Sequence, residues 1–134
     1  MIAMPRFARI LAVLAALAAS AGAALAAGPK AYVGNFKDST VSVIDTASER
    51  VVATLPVAAG PDGIVLTPDG RTVFVSGSSA AAVSEIDAAG DRVTRSSGVG
   101  QGPQGLAMTT DGKWLLVAVN GDDRVAFVDT SAHG

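Results

Sequence analysis

The chain has 134 residues, 49% of them hydrophobic and 16% charged, with ten basic against 12 acidic side chains and a net charge of −2. It contains no cysteine and one histidine, His133, which excludes disulfides, thiolate metal sites, covalent c-type haem attachment and mechanisms built on several histidines. The mildly acidic balance and the lack of a basic run argue against nucleic acid as a partner.

Residues 1–26 read as a secretory leader. Arg6 and Arg9 give a basic start, Ile10 to Leu17 an apolar core, and Ala24, Leu25 and Ala26 the small-x-small pattern of a cleavage site. Cleavage near Ala26 is expected to deliver residues 27–134 to the periplasm or the medium, free of the membrane and with a net charge of about −4. The rival reading is an uncleaved anchor, because Ile10 to Ala27 reaches the lower length limit of a membrane span.

From Tyr32 onward the chain repeats with a 42-residue period. Tyr32 and Val33 are followed by Phe74 and Val75 and then by Leu116 and Val117; Val41, Ser42, Ile44 and Asp45 return as Val83, Ser84, Ile86 and Asp87. Pro61 and Gly63 return as Pro103 and Gly105, and Asp69 and Gly70 as Asp111 and Gly112. A period of this size denotes stacked supersecondary units.

Each cycle divides into four short β-rich runs. In the complete cycle these are Gly63 to Thr67, Val73 to Ser76, Val83 to Asp87 and Arg92 to Ser96, which leaves no room for a helix. Pro68, Asp69 and Gly70 carry the chemistry of a tight hairpin turn. The nearly continuous Val and Ile runs point to sheets covered on both faces. The expected fold is all-β, a propeller of four-stranded antiparallel blades, with blade strands across 32–57, 62–97 and 104–129.

These residues carry a resemblance. Tyr32, Val33 and Asn35 with Gly34 between them, the run Thr40 to Asp45, Pro61 with Gly63, and Pro68 to Gly70 are similar to the repeat of the YVTN β-propellers. The resemblance implies that the run after Pro-x-Gly is the innermost strand of a blade and that the run after TVSVID is the outermost. The second cycle departs most, with Glu85 inside the usually apolar strand. About ten strands cannot close a ring that typically takes four to eight four-stranded blades. A truncated propeller is the favoured explanation; assembly of several copies and an open arc are the alternatives, and open blade edges invite self-association.

Asp45, Asp87 and Asp129 recur once per cycle, as do Asp69 and Asp111, so these carboxylates are read as serving turns. Residues that break the repeat are better candidates for binding on the loop face: Phe36, Lys37, Asp62, Gln101, Gln104, Asp122, Asp123 and Arg124. Asp122 and Asp123 are weighed as calcium ligands, but beside Gly121 and Arg124 they read as a solvated hairpin. Trp114 is expected to pack at a strand start between blades. No catalytic set, metal or cofactor is expected within this chain. The leader and the lack of a catalytic set lead to the expectation of an exported, non-enzymatic propeller that binds a protein partner, and the resemblance implies periplasmic quinoprotein or cytochrome electron transfer as its setting. Alternative readings are part of a lactonase-like or haem- or quinone-associated propeller whose active residues lie elsewhere, and a surface-layer or nucleic-acid-binding propeller.

Overall fold

The computed structural model describes residues 28–131; the expected leader lies outside them. Ten strands follow in order: β1 (Lys30–Asn35), β2 (Thr40–Asp45), β3 (Arg50–Pro56), β4 (Pro61–Leu66), β5 (Thr72–Gly77), β6 (Ala82–Asp87), β7 (Arg92–Gly98), β8 (Pro103–Met108), β9 (Trp114–Val119) and β10 (Arg124–Asp129), with a 3₁₀ turn at Asn120–Asp122. They make three antiparallel meanders, β1-β2-β3, β4-β5-β6-β7 and β8-β9-β10. Among the described residues this is a partial propeller, as the repeat predicts.

The repetition extends to the irregularities. The β2–β3 register shifts between Val43 and Ile44 and the β6–β7 register between Glu85 and Ile86, the same position in two blades. The β4–β5 and β8–β9 registers shift after Pro61 and Pro103, because a proline has no N–H for a regular ladder.

Blades stack through two apolar clusters. Val41, Val43 and Leu55 of the first blade meet Val73, Val75 and Ile86 of the second. Phe74 and Val83 of the second, with Val99 of the next linker, meet Leu115, Val117 and Val119 of the third. Successive residues of β5 thus face opposite neighbours, Val73 and Val75 one way and Phe74 the other. This explains the unbroken apolar run: alternation of sides survives, but both sides are dry. Each such side chain contributes roughly 1.5–3 kcal/mol by burial. Glu85 is accommodated by its ion pair with Arg95 on the neighbouring strand, at 3.3 Å.

Polar groups also cross between blades. The buried Ser76 hydroxyl accepts from the Gly63 N–H at 2.8 Å and donates to the Gln104 carbonyl at 2.6 Å, tying the inner strands β4 and β8. The Ala58 N–H donates to Ser84 Oγ at 2.9 Å and so ties the first linker to the second blade.

Candidate functional site

Two rims flank the blade stack. On one rim lie the β1–β2, β5–β6 and β9–β10 hairpins and the linkers that enter the inner strands. Each hairpin is fixed to a linker by backbone bonds: Val57 N–H to Ser39 O at 3.0 Å, Ser78 N–H to Gly60 O at 2.9 Å, Val99 N–H to Ala81 O at 3.0 Å, and Gly121 N–H to Gln101 O at 2.9 Å. Ser39, Ala81 and Asp123 close their hairpins at φ 54°, 54° and 50°, a left-handed conformation uncommon for such residues. Rigid, equivalent supports therefore carry three loops of unlike sequence.

Here the residues that break the repeat are found. Phe36 is 53% exposed, with Lys37 and Asp38 exposed beside it and Asp62 exposed on β4. Around the third hairpin a polar group assembles. Asp122 Oδ2 accepts from the Gln101 N–H at 3.1 Å and lies 3.4 Å from an Arg124 nitrogen. The Arg124 guanidinium also donates to the Val99 carbonyl at 2.8 Å, and the Asn120 amide donates to Gln104 Oε1. Gln101, Gln104, Asp122 and Arg124 are thus brought together, while Phe36 and Lys37 stand on the first blade's loop. One Asp122 oxygen is committed to these donors, and among the described residues no three His, Cys, Asp or Glu side chains converge as a metal site.

The opposite rim holds the hairpins after the inner and third strands. Asp45 Oδ1 accepts from the N–H groups of Ala47 and Ser48, both at 2.9 Å; Asp87 does so from Ala89 at 3.1 Å and Asp129 from Ser131 at 2.8 Å. Asp69 and Asp111 each accept a threonine hydroxyl at 2.6 Å and the N–H two residues on at 3.0 Å.

This rim also contains a feature that sequence reasoning missed. A cavity of about 450 Å³ opens between the first two blades, lined by Gly28, Lys30, Tyr32, Leu66, Gly70 and Arg71 among others. Lys30 Nζ reaches Asp91 at 2.8 Å and donates to the Ala88 carbonyl at 3.0 Å, and the Asp91 hydrogen bond raises the lysine pKa. The Tyr32 hydroxyl is buried without a hydrogen-bond partner among the described residues, and burial pushes its pKa upward. The available signal was the replacement of Lys30 and Tyr32 by Thr72 and Phe74 one period later.

Trp114 corrects an expectation. It is 42% exposed, because it shares the side of β9 that faces away from the second blade, and no blade among the described residues covers that side.

Residues 5–111 match the model of the family described as YNCE-like beta-propeller. The chain belongs to this family. No curated protein matches this YNCE-like chain. Among solved structures, Kuenenia stuttgartiensis hydrazine synthase is 25% identical at a TM-score of 0.73, covering 78% of this chain and 30% of that one. The dihydro-heme d1 dehydrogenase NirN is 25% identical at a TM-score of 0.64, covering 73% of this chain and 21% of its own. A functionally unknown protein from Desulfotomaculum acetoxidans is 16% identical, with a TM-score of 0.60 over 73% of this chain and 37% of its own, a likeness of fold. The YNCE-like chain therefore spans well under half of each of these structures.

Proposed function

We propose that this YNCE-like propeller is an exported, non-enzymatic binding protein whose loop rim docks a protein partner of a periplasmic redox system. The observation that carries the reading is the rim itself: hairpins with equivalent backbone supports present unlike, exposed side chains, from Phe36 and Lys37 to the Gln101, Asp122 and Arg124 group. Rigid scaffolds with variable loops are the usual arrangement for recognition. The redox setting draws support from the two enzyme neighbours at 25% identity; fold likeness alone is a weak guide to function.

Affinity capture from a periplasmic extract tests this, with the wild-type chain beside a Phe36→Ala, Lys37→Glu variant. A captured protein with a haem or quinone absorption that is lost with the variant is the expected result. Equal capture by both, or none by either, would refute the reading.

The same neighbours favour a second reading, in which the chain is part of a cofactor-bearing enzyme propeller. Absorption spectroscopy and metal analysis of protein isolated from its source separate the two: a stoichiometric chromophore or metal supports the second.

A further inference from the structure

We infer that Asn120 is a modification site on the loop rim: its side-chain amide is displaced by the backbone nitrogen of Gly121 and becomes a carboxylate, at a rate set by the bonds that hold the third hairpin to its linker. The chain's asparagines are Asn35 and Asn120. Asn35 lies within β1, its amide donates to Thr40 Oγ1 at 3.0 Å and Ser42 Oγ at 2.9 Å, and the bulky Phe36 follows it. Asn120 precedes a glycine, which has no Cβ to obstruct attack by its nitrogen and the freest backbone to make it. Packing dictates that glycine. A Cβ on Gly121 would meet both the Cβ and the carbonyl oxygen of Gln101 at 2.8 Å, so the hairpin lies against its linker only without one. Ser79 holds this place one period earlier, and among the described residues the 3₁₀ turn at Asn120–Asp122 belongs to the third hairpin alone.

The reaction needs only water. The Gly121 nitrogen gives up its proton and bonds to Asn120 Cγ, closing a succinimide, while the Cγ–Nδ2 bond breaks and ammonia leaves with that proton. Water then opens the ring. Addition at Cγ leaves aspartate on the ordinary backbone, and addition at the Asn120 main-chain carbonyl leaves isoaspartate, with the chain running through Cγ. Nothing is oxidised or reduced. In the closed hairpin both reacting groups are engaged: the Gly121 N–H donates to the Gln101 carbonyl at 2.9 Å, the Asn120 N–H to the Gly102 carbonyl at 3.1 Å, and the Asn120 amide to Gln104 Oε1. Attack therefore waits on release of the hairpin from its linker. Residues 120–123 are exposed and the 3₁₀ turn buries none of its residues, so release uncovers no apolar core and belongs to the low-free-energy end of local opening. The product adds a negative charge beside Asp122 and Asp123 and turns an amide donor into an acceptor, which Gln104 meets by turning its own amide.

Incubation of the full chain at mildly alkaline pH, with peptide mass spectrometry that separates aspartate from isoaspartate products, tests the inference. The expected result is conversion at Asn120 before any at Asn35, with ammonia released in equal amount. Gln104→Ala frees the Asn120 amide and is expected to convert about fivefold faster, the change that loss of one ordinary hydrogen bond brings. Asp122→Ala, which removes the carboxylate that accepts from Gln101, loosens the hairpin independently and is expected to act in the same direction. Circular dichroism checks that each variant is folded, and the urea-unfolded chain is expected to convert faster than any folded one. Several results would overturn the inference. A folded chain that stays intact at Asn120 while the unfolded chain converts means the hairpin shields the residue outright. Equal rates in the folded wild type, both variants and the unfolded chain mean the hairpin bonds set nothing, and earlier conversion at Asn35 means the glycine does not decide the site.

Discussion

Asp69 and Asp111 hold their hairpins through the same two bonds, and those bonds set their acidity. The threonine hydroxyl first, then the backbone N–H of Arg71 or Lys113, keep each carboxylate below the ordinary 3.8; Asp45 is lowered in the same direction, chiefly by the Ser48 N–H. A folded pKa below the unfolded one stabilises the protein above the unfolded value, and that contribution is lost as pH falls through the folded one. The melting temperature is therefore expected to drop below about pH 4, and an Asp69→Asn, Asp111→Asn variant to show a shallower drop, read by calorimetry across the acid range. Lys30 has the opposite sign. Its pKa, raised above 10.5 mainly by the Asp91 bond, adds stability that is complete below the unfolded value and lost as pH rises through the folded one. Tyr32, raised by burial above 10.0, acts in the same alkaline window. Stability should fall above about pH 10, and less steeply in Lys30→Met; an unchanged slope in that variant would show that the ion pair adds nothing there.

Among the elements, the inner strands depend on close contact. A Cβ at Gly63 would run into the Gln104 carbonyl oxygen, so Gly63→Ala must push β4 and β8 apart or shift one of them. Ser76→Ala removes the group that links both strands and leaves the Gly63 N–H without its partner, an expected loss of about 1–3 kcal/mol. Urea unfolding checks both, and Gly63→Ala is expected to cost at least as much as Ser76→Ala. At this scale much was legible in advance. Pro61 and Pro103 mark the inner-strand entries, and Pro68-Asp69-Gly70 closes a turn by its own local chemistry. The Ser76 bridge was not legible, because it joins residues 28 apart in sequence through an alignment that exists only once two blades stack.

Across the whole molecule, the loop rim was largely readable from the sequence, since its residues are those that violate the period: Phe36, Lys37 and Asp122 to Arg124. The arrangement within the rim was not. That Asp122 is engaged by Gln101 and Arg124 follows from a hairpin folding back on its linker, and that Lys30 finds Asp91, 61 residues away, follows from blade stacking.

By itself the sequence determined the blade, because strand length, turn chemistry and the apolar period are local properties copied from one cycle to the next. Tertiary structure alone decided which copies of an apolar position are buried. Val43 and Phe127 hold the same place in the repeat, yet Val43 is fully buried and Phe127 is 65% exposed; Trp114, expected between blades, stands on the same open side as Phe127. Burial in a propeller belongs to the pair of blades that meet, so a position acquires it only where a neighbour is present.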